Sequence, residues 1–288
     1  MSFSSTVKEE LARQVSPARH CQIAELAAIM NFCGQYGRDK DGGYTIGFLT
    51  ENESVVRKGF TLLKKTYNIN TDVAISDEQM QGLLSKIGNL DEPVSSLLIK
   101  NSCCQRAFLR GAFLSIGSMS DPQKSYHFEF VCTDENKARQ LQSVIQGFHI
   151  DAKIIHRKKY YVVYLKEGES IVDMLNICEA HVALMELENM RILKEMRNSI
   201  NRRVNCETAN IAKTVSASTR QIEDIEYIRD HYGLSKLPDS IRQMAEVRLE
   251  HPDAPLKELG EYLDPPVGKS GVNHRLRKLS EFAEKLRT

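Results

Sequence analysis

The feature that most constrains this 288-residue chain is that it repeats itself. Gly34 and Gly117 lie 83 positions apart, Thr50 and Thr133 keep the same offset, and Tyr67 and Phe148 stand 81 apart. The stretch from Cys21 to Gly34 places Ile23, Leu26, Ala27 and Met30 at helical spacing, and a second helix is predicted from Gln105 to Ile116, stopping at Gly117. Strand-like chemistry follows at Tyr44 to Thr50 and at Tyr126 to Cys132, then helices at Glu53 to Tyr67 and Asn136 to Phe148. A fixed period implies one pseudo-symmetric α+β domain; the alternative is a chance likeness of two unrelated α+β stretches. At the 83-residue offset Ala24 and Ala28 correspond to Ala107 and Gly111. These small residues stand one turn apart, where two helices can cross closely.

The halves are unequal. Ala152 to Lys166 reads as a hairpin around Arg157, Lys158 and Lys159, whereas the first half, with a strand expected over Thr71 to Ser76, has no counterpart and is shorter by eleven residues. At the N-terminus, Thr6 to Glu9 reads as a capping box opening a short helix. One or two helices are expected between Ser170 and Asn201, followed by a polar connector without an apolar stripe. Three short helices close the chain. Ile241, Met244, Ala245 and Leu249 mark the first, Leu256, Leu259 and Leu263 the second, and Val272, Leu276, Leu279, Ala283 and Leu286 the third, which Ser270 can cap.

Charge matters here through its position. Thirty-nine Lys plus Arg against thirty-eight Asp plus Glu leave a formal charge of +1, so affinity for nucleic acid requires local segregation. Between Gly268 and Thr288 six Lys or Arg face two Glu. The third terminal helix turns Ser270, His274 and Arg277 away from its apolar stripe, flanked by Lys269, Asn273 and Lys278. A helix-turn-helix reader needs such a face, because Asn can pair with adenine and Arg with guanine in the major groove. The competing account is a solvated face on a small helical packing unit. Arg157, Lys158 and Lys159 on the hairpin could track phosphates or could protect an edge strand. Arg202 and Arg203 add a further basic region.

Seven cysteines at 21, 33, 103, 104, 132, 178 and 206 show no zinc-knuckle spacing, so no metal site is expected and the thiols read as reduced and cytoplasmic. Cys103 and Cys104 are expected to be buried and inert beside a packed helix. No stretch is apolar enough to span a membrane.

Leu26 to Gly34 and Leu109 to Gly117 resemble two degenerate LAGLIDADG motifs, the paired interface helices of a homing-endonuclease family. Taken with Met1 to Leu11, Arg203 to Asn210 and the helix from Ser270 to Arg277, nearly the whole chain resembles the WhiA family of bacterial regulators. The resemblance implies a pseudo-symmetric, duplicated LAGLIDADG-like domain followed by an all-α helix-turn-helix domain. It also implies transcriptional control in sporulation or cell division, with double-stranded DNA as partner, a nucleoid-associated location and, in some lineages, a WhiB-like iron–sulfur regulator as a second partner. The boundaries expected are a leading helix at 1–20, the duplicated domain at 21–200 with repeats at 21–100 and 104–200, a connector at 201–220 and the reader at 221–288.

In the nuclease motif an acid before the final glycine binds catalytic ions, and here Cys33 and Ile116 occupy those positions. Neither supplies an oxygen ligand for a hard cation, so hydrolysis is the weaker hypothesis and no cofactor is expected. An endonuclease would have to borrow other acids, such as Asp39, Asp41 or Asp121. A third reading is a division adaptor whose main contact is another protein.

Overall fold

The computed structural model describes residues 2–40, 42–70 and 75–287, and the chain divides into two compact units, Met1–Lys194 and Glu195–Thr288. The first unit opens with α1 (Phe3–Arg13), capped by the Ser2 hydroxyl, which accepts from the Ser5 amide. Thr6 therefore lies inside the helix, and the expected capping box is replaced by a start one turn earlier. The chain continues through α2 (Arg19–Cys33), the hairpin strands β1 (Gly34–Arg38) and β2 (Tyr44–Phe48), α3 (Glu53–Tyr67) and α4 (Asp77–Ile87). Asn52 caps α3, whose Val55, Leu62 and Leu63 are fully buried, and Ser76 with Gln79 forms a complete capping box on α4. Thr71–Ala74, most of one expected strand, lie outside the described residues, and Ile75 forms a single antiparallel bridge to Tyr44.

The second copy runs through α5 (Ser102–Ile116), β3 (Gly117–Met119), β4 (Phe128–Cys132), α6 (Glu135–Gln146), β5 (Lys153–Arg157), β6 (Tyr160–Leu165) and α7 (Gly168–Ile177). Its strands form a four-stranded antiparallel sheet in the order β3-β4-β6-β5, while the first copy has the two-stranded β1-β2 sheet. In β4, Phe128, Phe130 and Cys132 alternate inward, as an antiparallel sheet with one covered face requires.

The two motif helices form the centre of this unit. Leu26 to Met30 on α2 and Ala107 to Leu114 on α5 are all buried, so these helices are enclosed on nearly every face. Gly111 lets them meet: a Cβ there would lie 2.5 Å from the Glu25 carbonyl oxygen and 2.9 Å from the Ala28 Cβ. Gly34 and Gly117 adopt extended dihedrals (φ −75° and −78°), not the left-handed conformation usual after a helix. What they permit is close passage, because a Cβ would lie 2.6 Å from Met30 O and 2.2 Å from the Phe113 ring.

Next comes α8 (His181–His231), a single 51-residue helix. The expected connector at 201–220 is therefore helical, and the two units divide inside α8, between Lys194 and Glu195, six residues before the expected boundary at 200. The segment does carry apolar residues, but Val204, Ile211 and Val215 are exposed and sparse, which hides their helical spacing among polar neighbours. In the second unit a 3-10 turn at Leu234–Lys236 leads into α9 (Asp239–Glu250), α10 (Leu256–Glu261) and α11 (Lys269–Arg287). Ile225, Ile228, Met244, Leu259, Val272, Leu276 and Ala283 share its separate core.

Candidate nucleic-acid interface

The second unit builds a helix-turn-helix from close packing at one glycine. A Cβ on Gly260 of α10 would lie 2.0 Å from the Val267 carbonyl oxygen and 3.2 Å from Val272, and the Val267 amide donates to Gly260 O at 2.9 Å. The turn after α10 thus folds directly onto that helix and sets the start of α11. Val272, Leu276, Leu279 and Ala283 face inward, which leaves Lys269, Ser270, Asn273, His274, Arg277 and Lys278 exposed. Ser270 lies within the first turn and is not the cap, since α11 already begins at Lys269.

Several cations of this unit are held internally. Arg287 pairs with the buried Asp224 at 2.8 Å, Arg220 with Glu284 at 3.0 Å, and Arg277 with Glu281 at 3.1 Å. Arg248 is buried, donates to Gln221 Oε1 and to the Pro252 and Ala254 carbonyls, and has its pKa lowered by burial. It thereby fixes the loop that precedes α10. Beside that loop an open groove is lined by Lys213, Thr214, Gln221, Lys257, Lys269 and Asn273. The fold thus joins two residues of the predicted face with Lys213, which belongs to the basic stretch between Glu188 and Arg220, and with Lys257, which sequence reasoning did not assign. Arg202 and Arg203 are exposed about 15 Å earlier along α8 and do not line it.

In the first unit Arg157, Lys158 and Lys159 are exposed at the β5-β6 turn. Lys158 has φ 57°, a left-handed conformation that costs a non-glycine residue roughly 1–2 kcal/mol.

At the C-terminal ends of α2 and α5 the ion-binding positions of the nuclease motif are remade. Cys33 is buried, donates to Ile29 O at 3.3 Å and has its thiol pKa pushed up by burial, while Ile116 is half-buried. The Lys8 ammonium, its pKa lowered by desolvation, lies near Cys33 and 5.8 Å from the Phe113 ring centroid. A thiol, an alkyl group and an ammonium do not fit a hard divalent cation. Asp39 Oδ1 accepts from the Gly43 amide at 2.8 Å and Asp121 Oδ1 from the Gln123 amide at 2.9 Å, so both acids organise turns; Asp41 lies outside the described residues.

A charged cluster lies deeper between the motif helices. Glu25 is fully buried, with Lys58 Nζ at 3.0 Å and Arg110 Nε at 3.2 Å, and Arg110 reaches Glu179 at 2.6 Å. Lys58 also donates to the carbonyls of Leu11 and Gln14, and its pKa is lowered, desolvation being opposed by Glu25.

No metal site is expected from cysteine spacing, yet the fold gathers one set of side chains of metal-ligating type among the described residues. His20, Cys21, Cys103 and Cys104 present ligand atoms all within 4.8 Å of one another. The spacing rule missed them because adjacent pairs from two helices, not one short loop, supply the set. Cys103 is exposed, contrary to the expectation that both neighbours are buried.

Comparison with known proteins agrees with this architecture. The WhiA N-terminal LAGLIDADG-like domain matches residues 19–81, the WhiA LAGLIDADG-like domain 105–197, and the WhiA C-terminal HTH domain 200–283. A probable cell division protein WhiA from Lachnoclostridium phytofermentans is 51% identical, covering 100% of both chains. One from Alkaliphilus oremlandii is 48% identical over 99% of this chain and 98% of its own. The crystal structure of full-length DUF199/WhiA from Thermatoga maritima superposes with a TM-score of 0.60 at 26% identity, covering 99% of each chain. Duplicated motif helices without an acid before their closing glycines, an appended helix-turn-helix and full-length relatives together show that this chain belongs to the WhiA family.

Proposed function

We propose that the protein is a sequence-specific regulator of transcription acting in cell division, and in sporulation where the host sporulates, that binds double-stranded DNA through its second unit. The observation that carries this reading is the groove in which Lys213, Lys257 and Lys269 surround Asn273 at the start of an exposed helix face. Lysines there neutralise phosphates, and Asn273, His274 and Arg277 reach base edges. Arg157, Lys158, Lys159, Arg202 and Arg203 add contacts that do not depend on sequence. The naming of its relatives as probable cell division proteins supports a role in cell division.

The remade ion positions support binding without cleavage, so supercoiled plasmid incubated with magnesium and the protein should remain intact. The test of binding is fluorescence anisotropy of the full chain on duplexes across a salt series. Lys257→Ala and Lys269→Ala should each reduce the salt slope by about 1. Affinity unchanged in the double variant would remove the groove from the interface. Genome-wide occupancy in a dividing culture, compared with transcript changes on depletion, tests the regulatory part.

A protein-binding adaptor is the second reading, favoured by the exposed Ile192, Met196, Ile200 and Val204 on α8. It would gain if charge changes there abolished division function while DNA binding stayed intact.

A further inference from the structure

We propose that His20, Cys21, Cys103 and Cys104 form a tetrahedral site for one zinc-class divalent ion, which ties together the N-terminal ends of α2 and α5. The four ligand atoms are already gathered within 4.8 Å, and His20 Nδ1 lies 3.2 Å from Cys104 Sγ and 3.3 Å from Cys21 Sγ. Metal–sulfur bonds of about 2.3 Å and metal–nitrogen bonds of about 2.0 Å, at tetrahedral angles, require S···S separations near 3.8 Å and S···N near 3.6 Å. Both S···N contacts fall a few tenths of an ångström short of that value and no donor pair exceeds 4.8 Å, so closure asks for small shifts of the kind side-chain rotation supplies.

The internal repeat supplies an independent argument. His20 corresponds to Cys103 and Cys21 to Cys104 at the same 83-residue offset that relates Gly34 to Gly117. Two equivalent dipeptides therefore approach one point from the two copies, giving the four donors that a closed structural site requires. Three sulfurs and one imidazole are soft to intermediate ligands, suited to zinc and unsuited to magnesium or calcium.

Packing explains only part of the arrangement. Cys21 and Cys104 do behave as small apolar residues, sharing a satellite cluster with Ala24 and Ala107 away from the main core. His20 and Cys103 are exposed, however, and their convergence on the same point adds nothing to that apolar cluster.

Loading is balanced: three thiols release three protons to solvent, neutral His20 donates a ring-nitrogen lone pair, and the dication with three thiolates leaves a site of net charge −1. No oxidant or reductant takes part.

The test uses the full chain, reduced, freed of metal by a chelator and titrated with cobalt(II), then zinc. One equivalent of cobalt should produce the strong visible bands of tetrahedral thiolate coordination, and zinc should abolish them. Zinc should also raise the melting temperature. Cys103→Ser and His20→Ala, both at exposed positions, should each weaken binding at least about 100-fold while circular dichroism stays unchanged. Cys206→Ser, an exposed thiol outside the cluster, should bind as the parent does. Absence of stoichiometric binding, binding indifferent to Cys103→Ser and His20→Ala, or an iron–sulfur chromophore in place of a single ion would overturn the proposal.

Discussion

α5 and α11 each carry arginine amid apolar residues, and the fold uses them in opposite ways. Arg110 on α5 is only 3% exposed and its charge is consumed by Glu25 and Glu179. Arg277 on α11 lies on an exposed face, and its contact with Glu281 is a solvated pair one turn away, of the kind worth little to stability. A charge balanced inside the protein specifies how helices fit together, whereas one held at the surface stays available to a partner. Hydropathy alone does not separate the two cases; the surroundings do.

That contrast breaks if buried and exposed charges prove interchangeable. The largest effect is expected from Glu25→Gln, which leaves Lys58 and Arg110 around a neutral amide and should cost about 3–5 kcal/mol, measured by denaturant unfolding. Equal stability in the variant would mean the cluster is already solvated. Gly111→Ala should cost about 1–3 kcal/mol, because its methyl group meets Glu25 O and the Ala28 Cβ. Arg277→Ala should leave unfolding within about 0.5 kcal/mol of the parent. In a panel of operator variants it should relax one base position by about 1–3 kcal/mol.

The pH dependence sharpens the buried side. Burial pushes the Cys132 and Cys178 thiols up to about 12. Their folded pKa values lie above the unfolded value of about 8.5, so their contribution is fully present below that pH and declines as pH rises toward 12. Replacing both by alanine should make the alkaline loss of stability shallower, in unfolding curves collected at successive pH values. An unchanged slope would show that other groups govern it. The smallest effect belongs to Lys158→Ala, which should lower affinity for all duplexes alike and reduce the salt slope by about 1 without altering base preference.

Much of this architecture was legible from spacing. The 83-residue offset located the motif helices, the alternation of β4 located the sheet, and the period of Val272, Leu276 and Leu279 located the exposed face of α11. Short strands such as β3, with three residues, offer too few alternations to register. The continuity of α8 was hidden because its middle is exposed on all sides and its apolar row, from Ile192 through Val204 to Val215, is one residue wide among polar neighbours. Lys213 and Lys257 meet Lys269 only once three helices are folded together. The His20, Cys21, Cys103 and Cys104 cluster escaped because a search for local ligand spacing looks within one segment. The repeat offset, applied to cysteines as it was to glycines, would have paired Cys21 with Cys104.

The Glu25 cluster has one more consequence. Its carboxylate and Lys58 belong to the first copy and its Arg110 guanidinium and Glu179 to the second, so either copy expressed alone would keep one ion pair and lose the one that joins them. The shared pair ties the two halves to each other, and drift at position 25 is answerable to residues on two other helices.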